Sequence, residues 1–336
     1  IIPAYVKTLF KDHFKNTKVI YTVHNISNQG EFSLKNFSLT GLDKEVKKNY
    51  THRRKFNFLK GGLFYSDFIN TVSPTHAQEL LQDKKFTKGL NELLLDRKNS
   101  FEGILNGIDK WAWNPETDNY LSKKYEGDFR DYKLANKKAI LKKFNLHYDE
   151  KVPLIGMISR LNENKGIPLL IEAFDELMNE DISIIMLGDG SPEIKDQLRN
   201  LSKKYSKKFN IKFANDEKLA HQIEAGSDFF LMPSLYEPCG LNAMYSLGYG
   251  TIPIVRKTGG LNDNVKDYNP KTKKGNGFVF SNANRNDLLD AVKRAVKVFG
   301  EPGEMDAIAK KAMESDHSWD DRVEEYGRIY HSLTDE

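Results

Sequence analysis

Val152-Pro153-Leu154-Ile155-Gly156-Met157-Ile158 is a short apolar run, and a helix-like stretch over residues 169–178 follows it. A second run, Ile182-Ser183-Ile184-Ile185-Met186-Leu187, ends in Gly188-Asp189-Gly190, and residues 193–205 again read as helix. Further runs fall at 209–213, 228–232, 251–255 and 277–280, with helical stretches between most of them. Brief apolar runs bounded by glycine predict strands buried on both faces. Their alternation with helices predicts a parallel sheet in a doubly wound α/β domain. Ligands of such sheets bind beyond the carboxyl ends of the strands. Residues 156–166, 188–192, 237–241 and 257–261 are therefore expected to share one rim.

Working towards the N-terminus, the same units become sparser. Residues 18–23 lead into His24-Asn25, residues 67–72 lead into Ser73-Pro74-Thr75, and residues 102–105 lead into Asn106-Gly107. Serine before proline predicts a helix start at 73–75. These three strand ends place His24, Ser73 and Asn106 on the rim of a second, facing domain. The polar stretch 114–131 reads as surface loop, and the chain beyond about 287 as mostly helix. The expected domains are 1–148, 149–318, and a C-terminal helix, 319–336, crossing back to the first.

Composition narrows the class. In 336 residues, hydrophobic content of 39% and charged content of 29% suit a globular core. A net charge of +4 is too small and scattered to predict nucleic-acid binding. Cys239, the one cysteine, excludes an internal disulfide and a cysteine metal cluster. No apolar run approaches the roughly 18–20 residues of a membrane span, and no signal layout opens the chain. A soluble intracellular protein is expected. Met157 is the first of seven methionines, and Ile1 opens directly on an apolar-periodic segment. The expectation is a fragment that begins inside a domain, with Tyr5, Leu9 and Phe10 lacking partners.

Several segments carry candidate chemistry. Arg160 and Lys165 stand five apart in Ser159-Arg160-Leu161-Asn162-Glu163-Asn164-Lys165-Gly166, just after a strand and at a helix start. Two cations beside unpaired helix N–H groups suit a diphosphate, and a solvated basic loop has the same spacing. Glu237, in Tyr236-Glu237-Pro238-Cys239-Gly240-Leu241, could accept sugar hydroxyls or steady positive charge on a sugar ring. An acid favoured by a helix dipole would look the same. Thr258-Gly259-Gly260 and Gly188-Asp189-Gly190 allow close backbone approach, as plain turns also do. His24 could donate to a phosphate or sugar oxygen, or be structural. No metal-ligand spacing and no Ser-His-Asp order can be read.

Taken together, eight blocks resemble the bacterial glycogen synthase and plant starch synthase family, in the family's order. They are Thr22-Val23-His24-Asn25, Asn57-Phe58-Leu59-Lys60-Gly61-Gly62-Leu63, Thr71-Val72-Ser73-Pro74-Thr75, and Ile104-Leu105-Asn106-Gly107-Ile108-Asp109. Ser159-Arg160-Leu161 with Lys165-Gly166, Asp228-Phe229-Phe230-Leu231-Met232-Pro233-Ser234, Glu237-Pro238-Cys239-Gly240-Leu241 and Thr258-Gly259-Gly260-Leu261 complete them. The resemblance covers nearly the whole chain. It implies a GT-B fold of two facing Rossmann-like, doubly wound domains, the N-terminal one incomplete.

The resemblance further implies transfer of glucose from ADP-glucose, in preference to UDP-glucose, to the non-reducing end of glycogen or a maltooligosaccharide, with retention of configuration. By position, Arg160 and Lys165 would neutralise the diphosphate, Glu237 would steady oxocarbenium character, and His24 would contact the sugar. Cys239, Gly240, Leu241, Thr258, Gly259, Gly260, Asn106 and Gly188 would line the donor site, backbone N–H groups around Gly240, Leu241, Gly259 and Gly260 holding hydroxyls or phosphate. With no second carboxylate nucleophile in view, front-face attack assisted by the leaving phosphate is implied. No cofactor, metal, nucleic acid or membrane is expected. The location implied is the bacterial cytoplasm, or a plastid for a plant or algal chain.

Three departures qualify the match. The family's Lys-Gly-Gly donor loop has no counterpart before Ile1. Asn215 stands near the position of an adenine-stacking aromatic, and Asn242-Ala243 replaces the commoner Thr-Gln. The alternative is an inactive glucan- or nucleotide-binding remnant. A nicotinamide-dependent dehydrogenase ranks below both, since Ser191-Pro192-Glu193 after Gly188-Asp189-Gly190 lacks the third glycine of G-x-G-x-x-G.

Overall fold

The computed structural model describes residues 1–301 and 303–334. The chain divides into two compact units, Ile1–Asn106 with the C-terminal helix Asp320–Thr334, and Gly107–Trp319. Among the described residues no helix is long and apolar enough to cross a membrane.

The first unit carries strands β1 (Ile20–Val23), β2 (Glu31–Phe32), β3 (Thr51–His52), β4 (Lys55–Asn57), β5 (Phe68–Thr71) and β6 (Phe101–Gly103). Its helices are α1 (Ile2–Lys7), α2 (Lys47–Tyr50), α3 (Phe58–Tyr65), α4 (Pro74–Gln82) and α5 (Asn91–Asp96). Strands β1, β5 and β6 form a parallel sheet in the order β1-β5-β6, and β2, β4 and β3 a small antiparallel one. The Ser73 hydroxyl accepts from the His76 N–H at 2.9 Å, capping α4 with Pro74 at its start, as the serine–proline pair predicts. Tyr5, expected to lack partners, has them. Its hydroxyl donates to the Thr40 carbonyl at 2.6 Å, and its ring packs on the cluster of Ala4, Phe37, Tyr50 and Phe56. Leu9 and Phe10 remain half exposed.

The second unit contains β7 (Leu154–Ile158), β8 (Ser183–Gly188), β9 (Phe209–Phe213), β10 (Phe229–Met232), β11 (Ile252–Arg256) and β12 (Phe278–Phe280). They form one parallel sheet in the order β12-β11-β10-β7-β8-β9. Helices α6 (Phe129–Lys143), α7 (Ile167–Leu177), α8 (Pro192–Lys204), α9 (Glu217–Gly226), α10 (Leu241–Gly248), α11 (Gly259–Asn264), α12 (Arg285–Phe299) and α13 (Glu304–Met313) accompany it. Successive strand residues point to opposite faces. Ile155, Ile184, Phe229 and Ile254 therefore join α7 and α12 in one core, while Leu154, Ile185, Phe230 and Val255 join α6 and α9 in the other. Covered on both faces, the strands can be apolar throughout, which is why their runs stand out in the sequence.

Two expectations need correction here. The boundary expected at 148/149 falls inside the second unit, which begins at Gly107. Helix α6 packs on α9, and its inward face carries Lys133, Asn136 and Lys137 among the apolar residues, so its amphipathic period is masked. The supposed surface loop 114–131 is anchored. The Asp118 carboxylate accepts from the Tyr249 hydroxyl at 2.6 Å and lies 2.7 Å from His221 Nδ1. Burial pushes that carboxyl up, but the hydrogen bonds from His221 and Tyr249 outweigh it and leave it below its usual range. Trp113 just before it stacks between His221 and Tyr245, at 3.7 and 3.8 Å.

Buried charge lies between α6, α9 and the amino ends of the strands. Lys137 pairs with Asp228 at 2.7 Å, and the Lys133 ammonium donates to the Ser227 carbonyl and the Thr251 hydroxyl. Burial pushes the Glu224 carboxyl up to about 8, against the Ser246 hydrogen bond and the charge of Lys133. The folded chain thus keeps a proton on Glu224 that the unfolded chain releases above its ordinary value of 4.5. Stability from this group is complete below 4.5 and declines as pH rises towards 8. Glu224→Gln mimics the protonated form, so its Tm relative to wild type should climb between about pH 5 and about pH 8.5. Thermal melts across that range check this, and a constant difference would refute it.

Candidate active site

The chain builds outward from β7 to β9 on one side of the sheet and from β10 to β12 on the other. Strands β7 and β10 are neighbours at the point where the strand order reverses, the position at whose carboxyl edge α/β sheets bind ligands. Glu237, Arg160 and Lys165 lie on these two loops.

The first loop extends the β7–β8 ladder, with the Ser159 N–H donating to the Leu187 carbonyl (3.1 Å) and the Leu161 N–H to the Asp189 carbonyl (2.7 Å). The Asn162 side chain then accepts from the Lys165 N–H at 3.1 Å, closing a tight turn before α7. Gly166 follows with φ +71°, and a Cβ there would stand 1.9 Å from the Pro233 carbonyl oxygen. Only glycine supplies both the left-handed backbone and the close approach.

The second loop is held against the first. The Asn164 carbonyl accepts from the Leu235 and Tyr236 N–H groups at 2.8 and 3.2 Å. Ser234, buried, donates its hydroxyl to Glu237 Oε2 at 3.0 Å. Lys165 Nζ reaches the same oxygen at 2.6 Å. The Glu237 side chain is 10% exposed against 21% for Lys165, so the pair is partly withdrawn from water, where charges interact more strongly. The Arg160 guanidinium, by contrast, is exposed and has neither hydrogen bond nor ion pair among the described residues. These two loops therefore carry an exposed guanidinium, an ammonium shared with a carboxylate, and that carboxylate.

Backbone completes the rim. Gly240, at φ +76°, leads into α10. Among the described residues the N–H groups of Gly240 and Leu241 have no acceptor, leaving two donors at a helix start. Gly260 departs from expectation. Its N–H already donates to the Glu237 and Pro238 carbonyls at 3.1 and 3.2 Å, so it cannot serve a ligand. A Cβ on it would lie 1.9 Å from the Cys239 carbonyl, which also accepts from Asn264 Nδ2 at 3.0 Å. Thr258 is buried ahead of α11, and Gly259 opens that helix at φ +43°. Cys239 is buried and forms no disulfide. Gly188 ends β8, where a Cβ would meet the Ser159 carbonyl at 1.9 Å, a packing reason for glycine that needs no ligand. Asn215 is exposed just beyond β9.

In the first unit, His24 is exposed at the carboxyl end of β1 and has no partner among the described residues. Asn106 follows β6, and its buried Oδ1 is likewise unpartnered. Sequence reasoning missed Ser234, Asn164 and Arg256. It treated Asn242 only as a departure, yet its Nδ2 donates to the Ile158 carbonyl at 3.0 Å and ties α10 to β7. A polar residue at or just beyond the carboxyl end of an apolar strand was the available signal for Ser234 and Arg256.

A starch synthase catalytic domain family matches residues 1–96, and the group 1 glycosyl transferases match residues 139–312. The glycogen synthase of Alkaliphilus metalliredigens is 38% identical, across 99% of this chain and 71% of its own length. That of Fervidobacterium nodosum is 42% identical, across 98% and 68%. The solved catalytic domain of starch synthase IV from Arabidopsis thaliana, bound to ADP and acarbose, superposes with a TM-score of 0.90 at 32% identity, covering 99% of this chain and 70% of that one. The fold is the GT-B type of these enzymes, and the chain belongs to the glycogen synthase and starch synthase family of glycosyltransferases.

Proposed function

We propose that this glycosyltransferase moves glucose from ADP-glucose to the non-reducing end of glycogen or a maltooligosaccharide, retaining the anomeric configuration. The observation that carries the reading is the Glu237–Lys165 pair at 2.6 Å on the rim that also bears Arg160, whose exposed guanidinium is unpaired among the described residues. Arg160 and Lys165 meet the diphosphate charge as it grows on departure, and preorganised charge of this kind is usually a large catalytic contribution. Glu237 steadies positive character at the sugar ring. The N–H groups of Gly240 and Leu241 hold sugar hydroxyls or phosphate, and His24 is assigned a sugar contact. The acceptor 4-hydroxyl attacks C1 on the face the diphosphate leaves. As the C1–O bond breaks, the hydroxyl proton passes to the departing phosphate oxygen. No resident metal or cofactor enters this scheme.

The ADP bound in the starch synthase IV relative supports an adenine donor over UDP-glucose. Bacterial glycogen synthase relatives support a cytoplasmic location. The test is glucose transfer to a maltooligosaccharide by the full natural chain carrying this sequence, with ADP-glucose and UDP-glucose supplied separately. ADP-glucose should give at least about tenfold higher kcat/KM, equivalent to about 1.4 kcal/mol. Preference for UDP-glucose would overturn the donor assignment, with Asn215 as the first residue to examine. Elongation with neither donor would overturn the transfer itself.

A further inference from the structure

Glu237 lies in irregular backbone between β10 and α10, so its place depends on what pins that segment. Arg256 does so from the next strand. It is the last residue of β11, paired in register with Phe280 of β12, and it is half-buried. Its Nε donates to the Ser234 carbonyl at 2.7 Å and its Nη2 to the Leu235 carbonyl at 2.8 Å. Asn164 engages the same segment through the N–H groups of Leu235 and Tyr236. The backbone just ahead of Glu237 is thus gripped from both β11 and the β7 loop. Ser234, held by this grip, is the residue whose hydroxyl joins Lys165 on Glu237 Oε2.

We infer that Arg256 is a positioning residue for glucosyl transfer, its forked guanidinium fixing residues 234–235 so that Glu237 keeps its place beside Lys165. The inference rests on the role proposed above for Glu237. A planar fork can bond two successive carbonyls at once, whereas an ammonium is a single point of charge on a flexible stem. Small displacements of a group that acts on the reacting centre are costly, about 10²-fold for about 1 Å.

The test is a double-mutant cycle on the full natural chain, with ADP binding as a readout independent of turnover. Arg256→Ala should lower kcat by about 10- to 100-fold while the donor KM stays within about threefold. In a Glu237→Gln background the same change should cost less than about twofold, because the residue it positions has lost its function. Arg256→Lys should fall between wild type and Arg256→Ala, and added guanidinium ion should partly restore Arg256→Ala. If the alanine variant fails to bind ADP, Arg256→Lys and Arg256→Gln carry the cycle. Equal losses in both backgrounds would identify a purely structural role, and wild-type kcat in Arg256→Ala would overturn positioning. Wild-type activity in Glu237→Gln alone would instead overturn the underlying role of Glu237 and this inference with it.

Discussion

Glu237→Gln is expected to lower kcat for glucosyl transfer by about 10³-fold while the donor KM changes by no more than a few-fold. Glutamine has nearly the same shape, and its amide oxygen can still accept from the Ser234 hydroxyl, now at 3.0 Å from the carboxylate. What disappears is the negative charge. Before reaction the sugar is neutral, so the loss weighs little on donor binding. At the transition state the ring carries positive character, and a fixed carboxylate withdrawn from water stabilises it more than water could. The freed Lys165 remains able to contact the diphosphate, a second reason for KM to hold. Initial rates over a range of ADP-glucose concentrations decide the matter. A loss confined to KM would mean that Glu237 only binds the ground state.

The two cations should separate by their effects on stability. Arg160→Ala and Lys165→Ala are each expected to lower kcat/KM by about 10²- to 10³-fold, because each removes charge aimed at the leaving group. Arg160 is exposed and unpaired among the described residues, so its removal should leave the melting temperature nearly unchanged. Lys165 is different, since removing it leaves the Glu237 carboxylate with the Ser234 hydroxyl as its one side-chain partner among the described residues. Breaking a fully buried pair costs about 3–5 kcal/mol, and the partial exposure here brings that down to about 1–2 kcal/mol. For a unit of this size the melting temperature should drop by about 2–8 °C. Steady-state kinetics with calorimetry on both variants tests the contrast. Equal melting temperatures would show that the Glu237–Lys165 pair contributes nothing to the fold, and unchanged kcat/KM in either would remove that cation from the reaction.

Much of the second unit could be read from residue order. Each of its six strands lies within two residues of an expected apolar run, because strands covered on both faces have no polar alternation to blur them. The helix start at Ser73-Pro74 was equally readable, its cap being a local interaction. Helix α6 was not, since Lys133, Asn136 and Lys137 turn inward. Their polar ends find partners far along the chain, as Lys133 does at Ser227 and Thr251. Residues 107–148 were consequently expected in the wrong unit. Asp118 was set down as surface for the same reason, its partners His221 and Tyr249 lying more than a hundred residues away.

The sequence by itself determined the α/β class of the second unit and its carboxyl-edge rim, and its family resemblance pointed to Glu237, Arg160 and Lys165 as the residues to examine there. Periodicity reports burial, and strand ends report where a parallel sheet presents its loops. Only the tertiary structure decided that Lys165 meets Glu237 across 72 positions, that the Arg160 side chain has no partner among the described residues, that the Gly260 amide is engaged inside the protein, and that Arg256 grips the segment before Glu237. The reason is the strand order. Placing β10 beside β7, with β11 next to it, brings together loops that are remote in the chain, and no local pattern encodes which of their donors and acceptors then meet.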